Sequence, residues 1–207
     1  MNKREFLGAA ALAGAGPVFG QTGAGGAGGA SGANNAHGAS AGNSPALLTV
    51  TGAIRRPNRA RFDPALDQMM HKQKISFERG FALDFPALLK LPAVTIQPTL
   101  EYDGKKHVLR GPLLLDVLAL AGARPPDSAK LVLRAVDGYA AMLGVGQARR
   151  QRYMVATHLD GKPMPLGGLG PLWAVVDADR IAELSARPLA ERFGACPWAL
   201  YHIEVPG

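Results

Sequence analysis

The chain has 207 residues, 47% of them apolar, a formal charge of +7 and a single cysteine. One cysteine excludes an intramolecular disulfide and a cysteine-rich metal site, and the length admits one domain or two small ones. The positive charge gathers in Arg55, Arg56, Arg59 and Arg61 and again in Arg149, Arg150 and Arg152. With no aromatic residues interleaved, these clusters do not form a nucleic-acid motif; they read as a solvated face or as a patch for an anionic ligand or membrane surface.

Residues 1–20 carry a short charged start (Lys3, Arg4), an apolar Ala/Leu/Gly run and small residues before Gln21, which is the pattern of a secretory signal peptide. Asn2-Lys3-Arg4-Glu5-Phe6-Leu7 resembles a bacterial twin-arginine leader with Lys in place of the first Arg, and a Sec leader also fits. The apolar run falls short of the roughly 20 residues that a bilayer span needs and contains Gly14, Gly16 and Pro17, so no transmembrane anchor is expected after cleavage. The expected product begins near Gln21, is periplasmic or secreted, and keeps a charge of +6 once Lys3, Arg4 and Glu5 are lost. Residues 21–46 are almost all Gly, Ala, Ser and Asn, the composition of a disordered tether. The remaining residues, 47–207, are enough for one domain that buries roughly two-thirds of its unfolded surface.

Within that domain, Leu48, Val50 and Ile54 alternate with polar or small residues and predict a first strand. Asp63-Pro64 predicts a capped helix through about Lys72, with Leu66, Met69 and Met70 facing inward. Asp84-Phe85-Pro86 opens a helical turn over residues 87–91, which Pro92 ends. A strand over residues 94–102, a turn at Asp103-Gly104 and a strand over residues 106–109 follow. Gly111-Pro112 then opens an amphipathic helix over residues 113–121 with Gly122 as its stop. Residues 130–136 and 139–143, joined by Asp137-Gly138, predict a hairpin, and a short polar helix spans about residues 147–152. His71, His107, His158 and His202 stand at no metal-ligand spacing, so no metal site is expected.

Residues 153–177 are the most informative stretch. A strand (153–159), an Asp160-Gly161 turn, a Pro/Gly-rich loop (162–170) and a strand (171–176) follow one another. Asp-Gly suits the two positive φ angles of a type I′ hairpin turn. The loop reads as a surface crossover or as backbone that faces a cofactor. Helical turns near residues 179–184 and 189–193 and a strand over residues 200–205 complete the chain. Cys196, before Pro197-Trp198, reads as a packed thiol. Strands with short intervening helices and no strict alternation give an α+β class with a mixed, barrel-like β core. Alternation places Leu131, Leu133, Trp173, Val175 and Ile203 in one core.

Six phrases in order resemble the molybdopterin-binding domain of the sulfite-oxidase family: LTVTGAI, PALLKLPAVTIQPTLEYDG, GPLLLDVLALAGA, LRAVDGYAAML, ATHLDGKPMPLGGLGPLWAVVD and WALYHIEV. The resemblance implies an α+β fold built to hold a pyranopterin molybdenum centre that oxidises or reduces small oxyanions or sulfoxides. It also implies a cysteine ligand in the region of residues 99–104, where Tyr102 or a close neighbour stands instead. A phenol of pKa near 10 is a poor substitute for a soft thiolate. Tyr139 matches a family turn whose tyrosine can face the pocket, although it also reads as a half-buried hairpin residue. Arg110 and the Gly167-Gly168 loop are the candidates for a pterin phosphate. Two readings follow. One is a non-catalytic binding or interaction module, with molybdopterin possible and molybdenum doubtful. The other is a molybdopterin-dependent oxidoreductase. Either would meet a periplasmic redox or signalling protein as its partner.

Overall fold

Alternation at the start of the domain puts Leu48 and Val50 on one face of a strand and Thr49 and Thr51 on the other, and both faces are buried. This strand opens the part of the chain that the computed structural model describes, residues 44–207. The expected leader, and all of the expected tether but residues 44–46, lie outside the described residues. The elements in order are β1 (Ala46–Gly52), α1 (Gln68–Lys72), β2 (Gly80–Asp84), α2 (Phe85–Leu89), β3 (Ala93–Ile96), β4 (Leu109–Pro112) and α3 (Leu114–Leu120). Then come β5 (Lys130–Ala135), β6 (Ala140–Gly144), α4 (Val145–Arg150), β7 (Met154–Ala156), β8 (His158–Leu159), β9 (Lys162–Pro163) and β10 (Trp173–Val175). A 3-10 turn (Ala178–Arg180), α5 (Ala182–Ser185), a second 3-10 turn (Leu189–Glu191) and β11 (Leu200–Val205) finish the chain.

Among the described residues the strands form three sheets, ordered β2-β1-β11-β5-β6, β3-β4-β8-β9 and β10-β7. β1 and β11 run parallel while β11 and β5 are antiparallel, so the large sheet is mixed. The α+β class stands, but the barrel-like closure does not. Closure requires the two outer strands to pair, and β2 and β6 end the large sheet as separate edges.

Several boundaries move for local reasons. The helix expected from Asp63 starts at Gln68, because the Asp63 carboxylate accepts from Ala65 N–H at 2.8 Å and its carbonyl accepts from Asp67 N–H at 2.8 Å, which closes a turn first. Leu66 and Met69 are consequently exposed, and Met70 alone of the expected inward face packs, with Ile75 and Tyr201. β2, which the sequence reading left out, pairs with β1. The strand expected over residues 94–102 stops at Ile96, ahead of Pro98, which has no N–H to give a ladder. Gly111-Pro112 ends β4 instead of opening α3; a Cβ at Gly111 would lie 2.0 Å from the Val155 carbonyl oxygen, so only glycine lets β4 approach β7 this closely.

The predicted hairpins form. Asp160 and Gly161 both adopt positive φ, 49° and 78°. The strand expected over residues 153–159 divides at Thr157, where the chain passes from the two-stranded sheet to the four-stranded one and Thr157 N–H bonds to the Arg110 carbonyl at 2.9 Å. Lys162–Pro163, expected as loop, pairs with β8, and proline is tolerated because β9 is an edge.

Leu131, Leu133, Trp173, Val175 and Ile203 are fully buried in a single cluster. Leu133→Ala is expected to cost roughly 2–5 kcal/mol by lost transfer energy and cavity formation. Urea unfolding should show a lower midpoint with an unchanged slope.

His202 lies on the opposite face of β11 and is fully buried. Arg134 donates to its Nδ1 at 3.1 Å, which leaves the Nε2 proton for Thr51 Oγ1 at 2.9 Å. Burial first, then the charges of Arg134 and Arg59, pushes its pKa down to about 3 from the ordinary 6.5. Below pH 6.5 the unfolded chain therefore takes up a proton that the folded chain refuses. This contribution to stability is complete above pH 6.5 and is lost as the pH falls toward 3. His202→Asn should flatten the decline of the urea midpoint between pH 6 and 4 relative to wild type, whatever its effect at neutral pH.

Candidate functional site

Residues 99–106 form a small hairpin, the region to which the family resemblance assigns a metal ligand. Leu100 N–H bonds to the Lys105 carbonyl at 2.8 Å and Gly104 N–H to the Leu100 carbonyl at 3.0 Å. Its base is anchored from outside: the Asp179 carboxylate accepts from Thr99 N–H at 2.8 Å and from Thr99 Oγ1–H at 2.7 Å, while Arg192 donates to the other Asp179 oxygen at 3.0 Å. Desolvation alone would raise the Asp179 pKa; the Thr99 hydrogen bonds and the Arg192 charge outweigh it and leave the pKa lowered. Its tip is tied by His107, whose ring nitrogens meet Asp160 at 2.7 Å and Asp103 at 3.0 Å. Those two hydrogen bonds raise the His107 pKa. The hairpin is thus joined to the β8–β9 turn and to the Ala178–Arg180 turn.

Leu100 points into the core and Tyr102 is 55% exposed. The sole thiol, distant in sequence, follows Arg192, which is tied through Asp179 to the base of this hairpin. Cys196 is 4% exposed, its Sγ–H donates to the Tyr153 hydroxyl at 3.8 Å, and its carbonyl accepts from Trp173 Nε1–H at 2.9 Å. Burial pushes the Cys196 pKa up to about 12 and raises that of Tyr153 as well. Tyr139 closes the cluster by donating its hydroxyl proton to the Gly194 carbonyl.

The expected site residues fall on four different elements. Tyr102 is at the hairpin tip, and Arg110 is on β4 opposite Thr95 and His158. Tyr139 precedes β6, and Gly167 and Gly168 lie in the exposed loop before β10. Arg110, Tyr139, Gly167 and Gly168 form no hydrogen bond or ion pair with one another. A cavity of about 350 Å³ lies near that loop, lined by Leu166, Met69, Thr49, Arg59, Asp67 and Tyr201 among others. Arg59 bridges Thr49 and Asp67 there and stacks over Phe77.

The fold is similar to a known one. A crystal structure of the sulfane dehydrogenase SoxCD from Paracoccus pantotrophus matches with a TM-score of 0.50 over 77% of this chain, at 13% identity. At that identity the likeness is one of fold. This chain covers 37% of the length of that one. No protein-family model matches the sequence, and no curated protein matches it significantly.

The donor set does not fit molybdenum ligation. A thiolate ligand must be deprotonated and accessible, whereas Cys196 is buried, protonated and engaged with Tyr153. Among the described residues no group of three or more His, Cys, Asp or Glu side chains could hold a metal ion. The pairing of Cys196 with Tyr153, and the Thr99–Asp179–Arg192 anchor, were missed from the sequence. The nearest signal was the Cys-Pro-Trp phrase, which reads as packing but names no partner.

A thiol so placed should be inert. At pH 8, labelling of Cys196 by an aromatic disulfide reagent is expected to proceed only as fast as the protein unfolds. The rate should rise with urea in step with loss of tertiary structure, and Tyr153→Phe should accelerate it.

Proposed function

We propose that this chain is an exported, sulfite-oxidase-type molybdopterin-binding-like domain that acts as a non-catalytic binding module and meets a periplasmic redox or signalling protein. Three observations support the reading: the ordered phrases shared with that family, the fold likeness to a sulfane dehydrogenase, and the state of the lone thiol. The last carries it. The hairpin expected to supply a cysteine presents Tyr102, and Cys196 nearby is protonated and buried. A pterin, if retained, would lean on Arg110 and the Gly167-Gly168 backbone.

A second reading, a molybdopterin-dependent oxidoreductase with a separate electron carrier, is favoured by the twin-arginine-like leader, since that route carries folded, often cofactor-loaded proteins. Elemental analysis paired with a pterin fluorescence assay separates the two, using protein from a molybdenum-replete host that makes the cofactor. The expected result is no stoichiometric molybdenum and no sulfite or sulfoxide turnover; molybdenum at one atom per chain would overturn the module reading. Tyr102→Cys should capture metal only if the rest of the pterin pocket persists.

A further inference from the structure

A second cavity, of about 360 Å³, lies where β3, the end of α4 and the Ala178–Arg180 turn meet. It includes neither Tyr102, Arg110, Tyr139 nor the Gly167-Gly168 loop. Val94, Ile96 and Ile181 give it apolar walls, while Arg150, Arg152, Arg180 and Asp177 bring charge to it.

Among the described residues these charges are not matched. Arg149, the neighbouring cation, turns aside to Asp127 at 3.1 Å, but Arg150 and Arg152 form no ion pair among the described residues. Arg180 is 85% exposed and holds Asp177 Oδ2 loosely, at 3.5 Å. The other Asp177 oxygen, Oδ1, is buried and receives no hydrogen bond. A buried carboxylate oxygen without a donor is costly and rare enough to require a reason. The site therefore has cations in surplus and one acceptor lacking a donor.

The placement of Arg152 adds a backbone cost to the same site. It follows Gln151, the cap residue of α4, and here Tyr153 N–H bonds to the Ala148 carbonyl at 2.9 Å and Arg152 N–H to the Arg149 carbonyl at 3.2 Å. That closing motif puts Arg152 in the left-handed region at φ 53°. Glycine takes this conformation without penalty and is the usual choice. An arginine here gives up backbone ease and holds a guanidinium at the cavity.

We propose that this cavity binds a small organic carboxylate whose neighbouring carbon carries a hydroxyl or ammonium group. The carboxylate pairs with Arg150, Arg152 and Arg180, whose planar forks suit it. The hydroxyl or ammonium donates to Asp177 Oδ1. The carbon skeleton lies against Val94, Ile96 and Ile181. The volume is at the lower end for small-molecule sites, which fits a compound of this size and not a polymer. The site is independent of whether a pterin is bound elsewhere.

Calorimetric titration of the full chain at low ionic strength tests this with four probes: L-malate, L-aspartate, succinate and inorganic phosphate. Saturable binding of malate or aspartate is expected, on the order of tenfold tighter than that of succinate, which offers the carboxylates without the donor. Whichever of the two binds tighter identifies the donor as hydroxyl or ammonium. Arg150→Gln and Arg180→Gln, both at exposed side chains, should each weaken binding about tenfold, and Arg149→Gln should leave it unchanged. The isosteric Asp177→Asn should abolish the preference over succinate. Absence of saturable binding up to millimolar probe would overturn the proposal. So would equal affinity for all four probes, or a preference that survives Asp177→Asn, since either would reduce the site to diffuse positive charge.

Discussion

Everything in the large sheet depends on β11 lying between β1 and β5. Thr49 through Gly52 pair with His202 through Val205 in parallel on one side, and Val132 through Ala135 pair with the same strand in antiparallel on the other. Among the described residues no other strand joins β2-β1 to β5-β6. The side-chain period of two then sets both faces together: Ile203 enters the main core, and His202 meets Thr51 and Arg134 across the sheet. A slip of one residue would exchange these faces and bury Arg134 against leucines. The neutral histidine, held by one donor and one acceptor, is compatible with a single register.

The lone thiol illustrates how a fold can bring the right atom to a region in a form that suits other work. Cys196 reaches the neighbourhood of the residue 99–106 hairpin through the loop after Phe193, and its main chain is fixed by Trp173 Nε1 and by a hydrogen bond to Phe193 O at 2.8 Å. The surrounding apolar groups that fix it also deny it charge. A sulfur that must ionise to ligate or attack needs positive potential and solvent access, and what this buried residue meets is a phenol at its sulfur and an indole at its carbonyl. Rigidity is supplied to the hairpin separately, by Asp179 at its base and His107 at its tip. These two anchors tie the hairpin at both ends.

Much of this was legible from local sequence. The Asp-Gly turns, the closing strand and the five core residues follow from alternation and from residues that accept positive φ. What was not legible depended on pairing in space. β2 is a five-residue strand whose reason to exist is its neighbour β1. The α1 start could not be read because Asp63 is committed to its own turn, and Asp67, which stands at the N-cap position, gives no side-chain cap. Leu66 and Met69 have helical spacing but sit where no sheet covers them. The family phrases pointed to the residue 99–104 region, yet no pattern in one chain could say that Cys196 approaches it. The basic run Arg149, Arg150 and Arg152 was visible as charge; that Arg149 leaves the group for Asp127 required the helix end to be seen.

The central position of β11 also orders events in time. Its two neighbours are synthesised first, separated by about eighty residues, and each is left with an open flank until the last strand arrives. The β5–β6 hairpin and the β1–β2 pair can each form from residues close in sequence, but they are joined only when β11 inserts. Completion of the sheet is therefore a late step, dominated by contacts distant in sequence and correspondingly slow. Until then the facing flanks of β1 and β5 stay unpaired, and a half-built sheet offers its backbone donors and acceptors to any other strand that reaches them first.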